Sequence, residues 1–117
     1  MSKDYRAITR DISAYSSEIR KLQPDAMQAF YALSKAAGAD GALDKKTKEL
    51  VALAIGITQR CDGCIGFHSK ALVGLGATRQ EVAEIAAMSV YMGGGPALMY
   101  AADALRAFDQ FNEPAAG

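Results

Sequence analysis

Residues 44–76 read DKKTKELVALAIGITQRCDGCIGFHSKALVGLG, and how this stretch divides decides the fold. Asp44 stands ahead of a run of helix formers and is a good N-cap, so a helix is predicted from there to about Thr58. From Leu50 to Ile57 the run is apolar on every side, which marks this helix as the buried central one. Gln59-Arg60 leaves room only for a tight connection. The next helix, starting near Asp62, should therefore return as an antiparallel neighbour. In such a hairpin, residues equally far from the turn face each other. Glu49 lies about ten residues before it and His68 about eight after, within reach of one another.

The same stretch holds both cysteines of the chain, as Cys61-Asp62-Gly63-Cys64, and its only histidine, His68. On a helix, Cys64 and His68 stack four residues apart on one face. Two fully helical residues at the Cys61–Cys64 spacing keep their Cβ atoms roughly 5–6 Å apart. A disulfide needs about 3.5–4.5 Å. Cys61 must then sit at a helix end, where the backbone can adjust, and a bridge formed there suits a cycling disulfide better than a structural one. The helix start favours negative charge. A free thiol pKa of about 8.5 falls there, or beside a partnered histidine. Cys64 has the nearer base in His68 and is the expected attacking sulfur, while Cys61 is better placed to meet a reductant. Glu49 can hold and polarise the histidine, giving thiol, base and orienting group.

Outward from this hairpin every segment reads as helix. Ile8, Ile12, Tyr15, Ile19 and Leu22 mark an amphipathic helix over about residues 4–21. Pro24 opens a second, with Met27, Phe30, Tyr31 and Leu33 on its apolar side and Gly38 at its end. In the cysteine helix, Ile65, Phe67, Ala71, Leu72 and Leu75 are read as packing residues, and Gly74 or Gly76 ends it. Thr78-Arg-Gln-Glu81 fits a capping box. The fifth helix turns Val82, Ile85, Ala86, Ser89 and Val90 inward, with Met88 and Met92 close by. After Gly93-Gly94-Gly95, Pro96 opens a sixth with Leu98, Ala101, Leu105, Phe108 and Phe111 in phase. Asn112–Gly117 should fray. The triple glycine has neither the Lys-Ser/Thr nor the preceding strand of a phosphate loop. The fold class is all-α, a single domain of about six helices over residues 1–117.

At 117 residues the chain has the length of one domain, small enough to gain from burial between subunits. Thirteen basic and thirteen acidic residues balance, and no basic stripe appears, which disfavours a nucleic-acid partner. The first residues carry no secretory h-region. No apolar run approaches the ~20 residues of a membrane span. These readings predict a cytoplasmic protein, where a C-x-x-C is more often redox-active or metal-binding than a lasting disulfide.

The spacing Glu49–x11–Cys61-x-x-Cys64-x-x-x-His68 resembles the alkylhydroperoxidase D-like branch of the carboxymuconolactone decarboxylase superfamily, over about residues 44–111. The resemblance implies an all-helical fold that assembles as a homo-trimer or homo-hexamer. In its peroxidase members the cysteine pair reduces a hydroperoxide, is left as a disulfide, and is regenerated by a dithiol donor such as a lipoyl-bearing protein. Carried over by position, Cys61 and Cys64 are the redox pair and Glu49 and His68 the proton relay, with no bound cofactor. The chain departs at Gly63, where some peroxidase members have a histidine, which bears on rate and substrate more than on the chemistry. The superfamily's lactone decarboxylases lack the cysteine pair, which argues against their activity here.

Other readings of the same residues stand beside this one. Free cysteines are often small buried hydrophobes. Cys61, Cys64, His68 and Glu49 also match a zinc donor set in type, although helical spacing rarely closes a tetrahedron without a knuckle loop. Among functions, a redox-sensing or disulfide-reductase module would use the same thiols without efficient peroxide turnover. A cofactor-free lyase would use His68 as its acid–base group.

Overall fold

A computed structural model describes residues 2–114. Six helices follow in order: α1 (Tyr5–Leu22), α2 (Pro24–Gly38), α3 (Lys45–Thr58), α4 (Asp62–Gly74), α5 (Arg79–Gly93) and α6 (Gly95–Asn112). Helices α1, α3, α4 and α5 begin at a side chain that accepts a first-turn N–H, whereas α2 and α6 open on a proline without a side-chain cap. Asp4 accepts from the Ala7 N–H at 3.2 Å and Asp44 from that of Thr47 at 2.7 Å. Thr78 and Glu81 form the full capping box, at 3.1 and 2.9 Å. Gly94, at φ 74°, lets the chain turn sharply from α5 into α6. The expected fraying of the C-terminus lies partly outside the described residues; Asn112 itself closes α6.

The core is built by α3 to α6, with Tyr5 of α1 inserted from the side. Leu53 and Ile57 meet Ile65 and Leu72 of α4, Val82 of α5 and Phe108 of α6, all buried. On α4, Phe67 and Leu75 stand at the rim of this core, more exposed than the sequence implies. The inward face of α6 is also rotated from the expected one. Ala97, Ala101, Ala104, Ala107 and Phe108 point inward, whereas Leu98 is half exposed and Leu105 and Phe111 are only partly covered. An alanine face lets the α6 backbone approach α4 and α5 closely, and the bulkier residues are displaced outward. At the α5–α6 corner, a Cβ on Gly93 would lie only 2.7 Å from the Ala97 Cβ.

Two further expectations give way. Helix α3 is central but not covered all round: Leu53, Gly56 and Ile57 are buried, while Val51 and Ile55 face outward. They line an apolar groove with Met88 and Met92 of α5, about 240 Å³ in volume. Helix α2 buries no residue, and Phe30, Tyr31 and Leu33 are exposed, as are Tyr15, Ile19 and Leu22 on the adjoining half of α1. Periodicity reports which face of a helix is apolar; it does not say whether this chain or another copy covers it. Among the described residues, no helix is long and apolar enough to cross a membrane.

Candidate active site

The α3–α4 turn sets the position of the first cysteine. Arg60 takes the left-handed conformation, φ 57°, in the place that glycine usually fills. The Cys61 N–H reaches back to the Gly56 carbonyl at 3.0 Å, and the Arg60 N–H to that of Ile57 at 3.1 Å. This double bond pattern closes α3 and swings the chain at once into α4. Holding a non-glycine residue in that region costs roughly 1–2 kcal/mol, stored directly before the site.

Cys61 then serves as the N-cap of α4. Its Sγ accepts the Cys64 backbone N–H at 3.2 Å, taking the part usually played by a serine or aspartate oxygen. The sulfur thus lies at the end of the helix that favours negative charge. Both cysteines are free thiols and partly buried. Cys64 packs against α3 at Gly56: a Cβ on that glycine would stand 2.9 Å from the Cys64 Cβ. Burial first, and then the neighbouring Cys61 sulfur, pushes the Cys64 thiol up to about 11. Packing against α3 thus opposes the lowering that the helix end was expected to give this thiol.

The hairpin does bring the two relay residues together. His68 Nδ1 donates to Glu49 Oε2 at 2.6 Å, with both side chains partly shielded from water. That bond fixes the ring and leaves Nε2 as the free, basic nitrogen, one helical turn from Cys64. Among the described residues, His68 has no hydrogen bond to either sulfur in the resting dithiol.

The glycines around the pair make room for its neighbours. At Gly63, where the resemblance implies a histidine in some members, a Cβ would lie 2.9 Å from Ile12 Cδ1, so α1 occupies that side of the motif. A Cβ on Gly66 would lie 2.7 Å from Thr9 Cγ2. Among the described residues, no three His, Cys, Asp or Glu side chains are placed to hold one metal ion, so Cys61, Cys64, His68 and Glu49 do not gather as a zinc set.

The sequence reading missed the residues that reach the motif from the N-terminal segment and α6. Asp62, between the cysteines, receives the Tyr5 hydroxyl at 2.9 Å and the Lys3 ammonium at 2.9 Å. Lys3 also pairs with Asp103 of α6 at 2.8 Å. No local pattern points to these contacts, which join residues 57 to 100 positions apart.

Fold and site together define an all-helical protein with a helix-capping C-x-x-C and a buttressed Glu–His pair. The carboxymuconolactone decarboxylase family model matches residues 24–107, and the chain belongs to that family. A carboxymuconolactone decarboxylase family protein of Legionella pneumophila superposes with a TM-score of 0.92 at 54% identity, over 93% of this chain and 97% of its own. A Thermotoga maritima family member, described as suggested to be involved in an antioxidative response, has a TM-score of 0.77 at 26% identity, covering 87% of each chain. An uncharacterised protein of Cupriavidus necator is 39% identical over 112 residues, 96% of this chain and 99% of its own length.

Proposed function

We propose that this protein is a thiol-dependent peroxidase of the alkylhydroperoxidase D-like kind, cycling Cys61 and Cys64 between dithiol and disulfide. The observation that carries the reading is the Glu49–His68 bond of 2.6 Å, one helical turn from a cysteine pair whose first sulfur caps the helix. A buttressed imidazole one helical turn from a C-x-x-C is the arrangement of thiol, base and orienting group that activates a nucleophile. The antioxidative description of the Thermotoga relative supports the same direction.

The position of Cys61 at the helix end and the burial of Cys64 support the following division of roles. Cys61, at the helix end, is the sulfur that attacks the terminal peroxide oxygen. With one proton this gives a Cys61 sulfenic acid and releases the alcohol, or water from hydrogen peroxide. Cys64, kept protonated by burial, is the resolving thiol. As its sulfur attacks Cys61, its proton passes to His68 Nε2 and on to the departing hydroxide, so a disulfide and water result. Glu49 holds the imidazole in the orientation that turns Nε2 away from the carboxylate. An external dithiol donor, of the lipoyl type, returns two electrons and two protons to the pair.

The exposed apolar faces of α1, α2, α3 and α5 support a homo-oligomer, with a trimer or hexamer as the assembly that the family resemblance implies. The test of function is hydroperoxide consumption with a dithiol donor, for wild type and for Cys61→Ser and Cys64→Ser. Turnover should vanish in both variants. One equivalent consumed and no more, with a good donor present, would point to a redox sensor. Full activity on a lactone acid without the cysteines would replace the proposal with a lyase.

A further inference from the structure

The tether from the N-terminal segment ends on the residue that follows Cys61, and the thiol chemistry above assigns it no part. Lys3 Nζ is held on three sides: Asp62 Oδ1 at 2.9 Å, Asp103 Oδ2 at 2.8 Å, and the Tyr100 ring, whose centre is 4.8 Å away. The buried Tyr5 donates its hydroxyl to the same Asp62 oxygen. Burial, followed by that bond, pushes the Tyr5 hydroxyl strongly up, so it remains a donor. The backbone beside them is fixed as well. The Tyr5 N–H donates to Gln110 Oε1 and Gln110 Nε2 donates to the Lys3 carbonyl, both at 2.8 Å. The clamp across α6 thus fixes the backbone from which the Lys3 side chain reaches Asp62.

Asp62 occupies the first turn of α4 and competes with the Cys61 sulfur for the positive end of the same helix. An unpaired carboxylate there also repels a thiolate on its neighbour. The charged and titratable groups around the motif are Asp62, Cys64 and His68 on α4, and Glu49 on α3. Arg60 lies in the turn, Lys3 on the N-terminal segment, Tyr5 at the start of α1, and Asp103 and Arg106 on α6, with Arg106 3.7 Å from Asp103. Of these, Lys3 is the cation in direct contact with Asp62.

We propose that Lys3 is a positioning residue for the redox pair: its ammonium neutralises Asp62 and so leaves the helix end free to hold an anionic Cys61 sulfur. The inference rests on reading Cys61 as a reacting thiol. It concerns thiolate reactivity rather than peroxide turnover, so the two fail separately.

The experiment is alkylation of the full chain by iodoacetamide at neutral pH, in a Cys64→Ser background so that only Cys61 reports. Lys3→Met should slow alkylation about three- to tenfold, the effect of one unit charge several ångströms away in a partly wet site. Asp62→Asn should accelerate it. Lys3→Arg should keep the parent rate, and Lys3→Met combined with Asp62→Asn should behave like Asp62→Asn alone. A tether with only a mechanical role moves Lys3→Met and Asp62→Asn the same way, because each breaks the same contact. That result, or no change in either variant, overturns the proposal. If Lys3→Met melts the fold, Asp62→Asn decides alone: a rate at or below the parent refutes it. A wild type that alkylates as described but consumes no peroxide would sink the peroxidase reading and leave the role of Lys3 standing.

Discussion

Removing the His68 imidazole should expose the cost of resolving a disulfide with a buried thiol. Cys64 is pushed up to about 11. Without a local base its attack relies on the thiolate present in solution equilibrium, about one part in 10⁴ at pH 7, since each pKa unit is a factor of ten. A positioned base typically restores 10²–10⁴-fold. His68→Ala should therefore slow disulfide closure by about that factor, while initial oxidation of Cys61 is spared. The sulfenic acid on Cys61 should accumulate and be trapped by dimedone after a peroxide pulse, whereas wild type shows little adduct. The pH dependence has a definite sign: in His68→Ala the closure rate should climb about tenfold per unit toward pH 11, and in wild type far less. Glu49→Gln should fall in the same direction, and the double variant should be little worse than the worse single one, because the pair acts as a unit. Closure in His68→Ala as fast as wild type at pH 7, or sulfenic acid trapped on Cys64 instead, would refute this assignment of roles.

Gly56→Ala should destabilise the fold and displace Cys64, since the new Cβ would stand 2.9 Å from the Cys64 Cβ. Overpacking of this kind costs about 1–3 kcal/mol, against roughly 1 kcal/mol gained in helix propensity. A melting temperature equal to or above wild type would show that α3 and α4 are less tightly apposed. Alkaline stability should decline as pH rises from 9 to about 11, because the folded chain keeps the Cys64 proton that the unfolded chain releases from 9.0 upward. The decline should be shallower in Cys64→Ser, measured by denaturant melts across that range. In sedimentation, the chain should run as a multiple of its 12.4 kDa mass. A monomer at micromolar concentration would leave the exposed Tyr91, Met92 and Leu22 side chains unexplained.

Much of this protein was legible from local chemistry. The six helices and the Asp44 and Thr78 caps follow from interactions within a few residues of each position, which sequence spacing encodes directly. The Glu49–His68 contact was also legible, because a tight antiparallel hairpin converts distance from the turn into proximity. Tertiary packing decided the rest. It turned the alanines of α6 inward in place of Leu98, which stays half exposed. It raised the Cys64 thiol by pressing it against Gly56, where a helix end alone would have lowered it. It brought Lys3 and Tyr5 onto Asp62 from far along the chain. Charge and desolvation at a thiol depend on what surrounds it in space, and no spacing along the chain records that.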